Sequence, residues 1–219
     1  MRKTYKEFIK EQLTTMKQGE PIYTKDLAER MSDEYGLSDD KARAAVSVAM
    51  ARILSEKDEF HLRFYKRGIY YLTNFTPFGE TGIDTEALIR RKYIDDDNGY
   101  ESGLTLLNKI GLTTQLPKKR EFVSNNATDC IREDKDLGVM VRPPKEKITK
   151  DNKDYLRYLD ILDMIGKAPI DVREPYTLLA DFLRSEGLEY GKLLALANKF
   201  YPHSILLKLA NVAEAGEAA

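Results

Sequence analysis

Glu133, Asp134 and Lys135 spell E-x-K, the triplet with which metal-dependent nucleases set a carboxylate beside a divalent ion and a lysine near the scissile phosphate. No upstream acidic partner stands out, and in a chain with 35 Lys/Arg and 36 Asp/Glu such triplets arise by chance. Asp95, Asp96 and Asp97 are three consecutive carboxylates, but with Asn98 and Gly99 behind them they read as a solvated turn rather than metal ligands. Cys130 is the sole cysteine, which excludes an intrachain disulfide and a multi-cysteine zinc site. The two histidines, His61 and His203, fall in no HExxH-like spacing. There is no P-loop, no GxSxG elbow and no dinucleotide fingerprint. These residues predict neither an enzyme nor a cofactor.

The basic residues point to a different chemistry. Over Ser38 to Leu54, Ala42, Ala45, Val46, Ala49 and Ile53 repeat as the apolar stripe of a helix. The opposite side is slim, with Ala44, Ser47, Val48 and Ala51, and Lys41, Arg43 and Arg52 flank it. A backbone that can approach closely with cationic arms around it is what a major-groove reading helix needs. Small residues of this kind also suit helix-on-helix packing.

The elements around that helix decide between the two. Thr4 caps a first helix with Tyr5, Phe8, Ile9, Leu13 and Met16 at helical spacing. Pro21 holds a short extended piece, Thr24 caps a second helix that begins at Lys25, and Gly36 closes it. Ser38 then caps the third helix. After a polar turn at Ser55 to Glu59, two β-rich runs, Phe60 to Tyr65 and Ile69 to Leu72, are joined by Lys66, Arg67 and Gly68. The order helix, strand, helix, helix, strand, strand predicts a winged helix-turn-helix over residues 1–75. Its expected DNA contacts are Lys25, Lys41, Arg43, Ser47, Arg52, Arg63, Lys66 and Arg67, of which Arg43 and Ser47 are placed at bases and Arg63, Lys66 and Arg67 of the wing at the sugar-phosphate backbone. Asp39 and Asp40, in the first turn of the third helix, would repel a phosphate there.

Residues 76–219 are expected to form a second, mixed α/β domain, so the fold class is α+β. Asn74 to Gly82 reads as the boundary after the first domain, Asp84 to Tyr93 and Gly103 to Ile110 as helices, and Glu121 to Ser124 and Val139 to Val141 as strands. Residues 146–219 read as a helical part. Helices run from Asp151 or Asn152 to Ile165, from Pro175 to Glu186, from Tyr190 to Phe200 and from Ser204 to Val212, with a frayed tail. The last pair is better suited to packing on a core than to a membrane surface, because Pro202 interrupts it.

The net charge of −1 announces no polyanionic partner for the whole chain. Residues 1–75 carry 14 Lys/Arg against 12 Asp/Glu and residues 76–219 carry 21 against 24, an asymmetry of the right sign for an N-terminal DNA module. No apolar run reaches the roughly 18 to 20 residues that span a bilayer, and the N-terminus lacks the pattern of a secretory signal. A cytoplasmic protein is expected.

Beyond these patterns, the chain resembles the AbiEi-type antitoxins of type IV toxin-antitoxin systems, the branch regarded as transcriptional regulators of phage defence. The likeness rests on Ala51 to Leu54, on Arg67 to Tyr71, on TPFGE at Thr76 to Glu80, on KYI at Lys92 to Ile94 and on GYESGLTLLNKIGLTTQLP at Gly99 to Pro117. It covers roughly residues 1 to 165 and is most specific from Gly103 to Pro117. The resemblance implies an N-terminal domain that binds inverted repeats in its own promoter and a second domain that counteracts a nucleotidyltransferase-like toxin without a stable complex. Asp39 and Asp40 make the reading helix less basic than that family would suggest.

Overall fold

A computed structural model describes residues 3–56 and 60–218; part of the polar turn expected at Ser55 to Glu59 lies outside the described residues. The protein is a mixed α+β chain with nine helices and three small sheets among those residues. Its contacts separate two compact units, Met1–Leu88 and Ile89–Ala219. No helix among the described residues is long and apolar enough to cross a membrane.

The first unit opens with helix α1, Tyr5–Thr14, set by a reciprocal cap. Glu7 N–H donates to Thr4 Oγ1 and Thr4 N–H donates to the Glu7 carboxylate at 2.8 Å. Strand β1, Ile22–Tyr23, leads into α2, Thr24–Tyr35, which ends where Gly36 turns left-handed. Thr24 is the first helical residue rather than the cap, and its hydroxyl and N–H both donate to the Gly68 carbonyl, at 3.3 and 2.9 Å. Helix α3, Asp39–Ser55, starts from Ser38, which holds the cap position without a side-chain bond. Strands β2, Leu62–Lys66, and β3, Ile69–Leu72, form a hairpin, and β1 adds to β3 to give the antiparallel order β1-β3-β2. Gly68, at φ 81°, supplies the left-handed residue that this tight turn requires. Phe8, Ile9, Leu13, Leu27, Met31, Val46, Met50, Leu62 and Leu72 close one core beneath the helices and the sheet.

The turn-rich stretch after Leu72 packs with this unit instead of beginning the next. It forms a small hairpin of β4, Phe75–Thr76, and β5, Gly79–Glu80, with Phe78 fully exposed at its tip. Asp84 N–H donates to the Gly19 carbonyl, and Arg63 holds Glu80. Helix α4, Thr85–Tyr93, follows, and the division between units falls inside it.

The second unit is built on β6, Gly99–Ser102, helix α5, Gly103–Lys109, and strands β7, Glu121–Ser124, β8, Arg132–Asp134, and β9, Val139–Arg142. The sheet runs β6-β7-β9-β8, and only the β7–β9 pair is parallel. Four helices complete it: α6, Lys153–Met164; α7, Pro175–Ser185; α8, Tyr190–Phe200; and α9, Ser204–Ala218. The tail is not frayed after Val212, because α9 continues and Arg184 donates to the Gly216 carbonyl at 3.0 Å.

One carboxylate lies inside this unit. Asp160 is 1 % exposed and accepts from Tyr100 Oη at 2.7 Å, Arg142 Nη2 at 2.7 Å and Tyr201 Oη at 2.9 Å. Arg142 also donates to Glu121 at 2.8 Å, so the ion pair is satisfied on both sides. Asp95 to Asp97 occupy a turn in which Asp96 and Asp97 have positive φ, and Lys153 lies 3.4 Å from Asp97.

Candidate nucleic-acid interface

Helix α3 buries Ala42, Val46, Ala49, Met50 and Ile53, which leaves Ala44, Ser47, Val48 and Ala51 exposed on the other side. Arg43 and Arg52 are nine residues apart, about 900° of rotation, so they emerge half a turn from each other on opposite flanks of the slim ridge. Lys41 and Arg52, eleven apart, return to within about 20° of one another on the flank facing α1. There Arg52 borders a groove with Tyr5 and Val48. Arg43 and Ser47 occupy the flank that faces the β2–β3 hairpin.

Between that flank and the hairpin lies a cleft of about 490 Å³. Arg43 and Ser47 come from α3, Thr24 and Lys25 from the first turn of α2, and Phe64, Arg67, Gly68 and Tyr70 from the hairpin. The bonds from Thr24 to the Gly68 carbonyl tie two of its walls together. Three cationic side chains converge here, and among the described residues neither Arg43 nor Arg67 is held in an ion pair. Guanidinium groups with a fork of donors, a hydroxyl and the amide-rich start of a helix form a surface suited to phosphate oxygens and base-edge acceptors.

The remaining expected contacts are dispersed. Lys66 closes β2, with its ammonium 5.6 Å from the centre of the Tyr65 ring. Arg63 stands on the other face of the sheet. Leu62 and Leu72 point to the core, Phe64 and Tyr70 share their face, and Arg63 pairs across with Tyr71 on the reverse side. There it is clamped by Glu80, whose carboxyl the Arg63 guanidinium holds below its ordinary range. Asp39 and Asp40 occupy the first turn of α3, where they favour the helix dipole and oppose an approaching phosphate.

Neither the family models nor the curated proteins give a match to this chain.

The E-x-K triplet forms no comparable centre. Asp134 accepts from Lys92 at 2.7 Å and Tyr93 at 2.8 Å, while Glu133 pairs with Lys119 at 2.7 Å. Among the described residues no three His, Cys, Asp or Glu side chains are grouped as metal ligands would be. Thr24, Phe64 and Tyr70 were absent from the residues expected at the interface. Strand alternation from the buried Leu62 gives Phe64 its face, but the tie from Thr24 to Gly68 spans 44 residues and has no local signal.

Proposed function

We propose that this chain is a DNA-binding antitoxin of the AbiEi-like, type IV kind, which represses its own operon and counteracts a nucleotidyltransferase-like toxin. In this reading α1 to α3 with the β2–β3 hairpin are a winged helix-turn-helix, α3 enters the major groove, and the hairpin is the wing. The observation that carries it is the cleft in which Arg43 and Ser47 of α3 meet Lys25 and Arg67. Element order supports it as well. Support for the antitoxin half comes from the likeness over Gly99 to Pro117. That stretch forms β6, α5 and a loop pinned by Asp171, which accepts from the Thr114 N–H and hydroxyl at 2.7 Å each.

The test has two arms. Mobility-shift titration at about 150 mM salt should give tighter binding to the region upstream of the gene than to random duplex; equal affinities would defeat the repressor reading. Co-expression with a neighbouring nucleotidyltransferase should restore growth, and an Arg43→Ala, Arg67→Ala double variant should still restore it when the chain is expressed from a foreign promoter.

A second reading, a protein-interaction adaptor, is favoured by the groove of about 590 Å³ between α1 and α3. Val48 is 51 % exposed and Tyr5 41 % exposed along it. That reading requires copurification with a protein partner that Val48→Asp abolishes.

A further inference from the structure

We infer that Phe64 recognises the 5-methyl group of thymine beside a base edge read by Arg43 and Ser47; this rests on the DNA-binding reading and assigns the sequence preference of the same cleft.

Phe64 is 53 % exposed, although it lies on the inner face of its strand, the face of the buried Leu62. An aromatic ring on that face would ordinarily join the core. Here it stands past the core's edge, in the cleft shared with Arg43 and Ser47. Its position is fixed. Tyr70 is its partner across the ladder, and the two rings meet edge to face with centroids 5.5 Å apart and planes at 74°. The register shifts between Phe64 and Lys66, so regular pairing ends just after the ring and the chain is re-aimed there.

The ligand that covers this ring must present something apolar next to hydrogen-bonding groups. Phosphates satisfy Lys25 and Arg67 but leave an aromatic face without a counterpart. In the major groove the base edges offer acceptors and amino donors, and a single apolar group, the thymine methyl. A guanidinium and a hydroxyl set beside a phenyl ring therefore match a step in which thymine adjoins a base with acceptors, such as guanine.

The experiment starts with selection from a random duplex pool by the full chain at about 150 mM salt. The enriched duplex is then made twice, with thymine and with uracil, which removes the methyl groups and retains pairing and the O4 acceptor. The wild-type protein should bind the uracil duplex about fourfold more weakly for each methyl covered. Phe64→Ala should bind the thymine duplex with the same loss and discriminate no further, whereas Phe64→Leu should keep part of the discrimination. Thermal unfolding of both variants checks that the core is intact, and the leucine variant decides the outcome if the alanine variant unfolds. Equal wild-type affinity for the two duplexes, or a thymine preference that persists in both variants, overturns the assignment and leaves DNA binding standing. Failure to enrich any sequence overturns sequence-specific DNA binding itself, and the assignment with it.

Discussion

Arg63 and Glu80 form a two-pronged ion pair, Nε to Oε2 at 3.1 Å and Nη2 to Oε1 at 2.7 Å, on the face of the β2–β3 sheet turned away from α3. The pair fastens the β4–β5 hairpin to the sheet and commits the guanidinium to a carboxylate. Arg63→Ala is therefore expected to change DNA affinity by less than about twofold. Arg67→Ala should weaken binding evenly across sequences and lower the salt slope by about 1. Arg43→Ala should cost about 1 to 3 kcal/mol at its base and relax discrimination there. Titrations at several salt concentrations separate the three, and an Arg63→Ala loss equal to that of Arg67→Ala would refute the assignment of faces.

Removing the carboxylate of Asp160 leaves the half-buried Arg142 guanidinium with Glu121 as its one carboxylate partner among the described residues, Tyr100 without its acceptor and Tyr201 with the longer bond to the Leu156 carbonyl. Asp160→Ala should destabilise the second unit by about 3 to 5 kcal/mol, read as a lower urea midpoint. Tyr100→Phe removes the bond to Asp160, and Tyr201→Phe removes a hydroxyl shared between Asp160 and the Leu156 carbonyl; each should cost about 1 kcal/mol. Burial and the neighbouring Asp160 charge push both phenols far above their ordinary value. The hydroxyls thus remain protonated donors at neutral pH.

Gly99 is closed to any side chain. A Cβ there would stand 2.0 Å from the Tyr93 carbonyl oxygen and 2.3 Å from that of Val123, both backbone atoms. Gly99→Ala should separate β6 from β7 and cost about 3 kcal/mol, the upper part of the range for overpacking. Loss of amide protection in β6, followed by hydrogen exchange, is the accompanying sign; unchanged stability would contradict the observed approach of the two strands.

Asp134 gives the second unit an acid limb. Burial pushes its carboxyl up, but the bonds from Lys92 and Tyr93 outweigh this and hold it below its ordinary value of 3.8. A depressed carboxyl contributes stability that is whole above the unfolded value and is lost as pH falls through the folded one. Stability should thus begin to fall near pH 4 and decline further below it. Asp134→Asn should flatten that decline in tyrosine-detected unfolding, and an unchanged acid limb would count against the role given to this group.

Much of the architecture was legible because it is local. Thr4 with Glu7 three residues on, the stripe Ala42, Val46, Ala49 and Ile53, and glycines at 36 and 68 each declare an element within one turn of chain. The strands Glu121–Ser124 and Val139–Arg142 were readable from their β-branched and aromatic content. Strand β6 was not, since GYES alternates weakly and depends on neighbours brought by β7. The cleft was legible in part. Arg43, Ser47 and Arg67 carry charge or hydroxyls on predictable faces, but Arg63 looked equivalent to Arg67 because its partner lies 17 residues on, in a stretch that reads as a boundary. Asp160 sits in an apolar helical stripe, and only the fold brings its donors, 18 to 60 residues away, to meet it.

The strand order of the second unit also has a consequence in time. The β8–β9 hairpin closes over residues 135–138 alone, so its loop entropy is small and it is expected to form early. The parallel β7–β9 seam has no such local route and is expected to form after the hairpin. Arg142 lies at the end of β9 and reaches Asp160 from there. The carboxylate of α6 is therefore expected to stay hydrated until β9 joins β7.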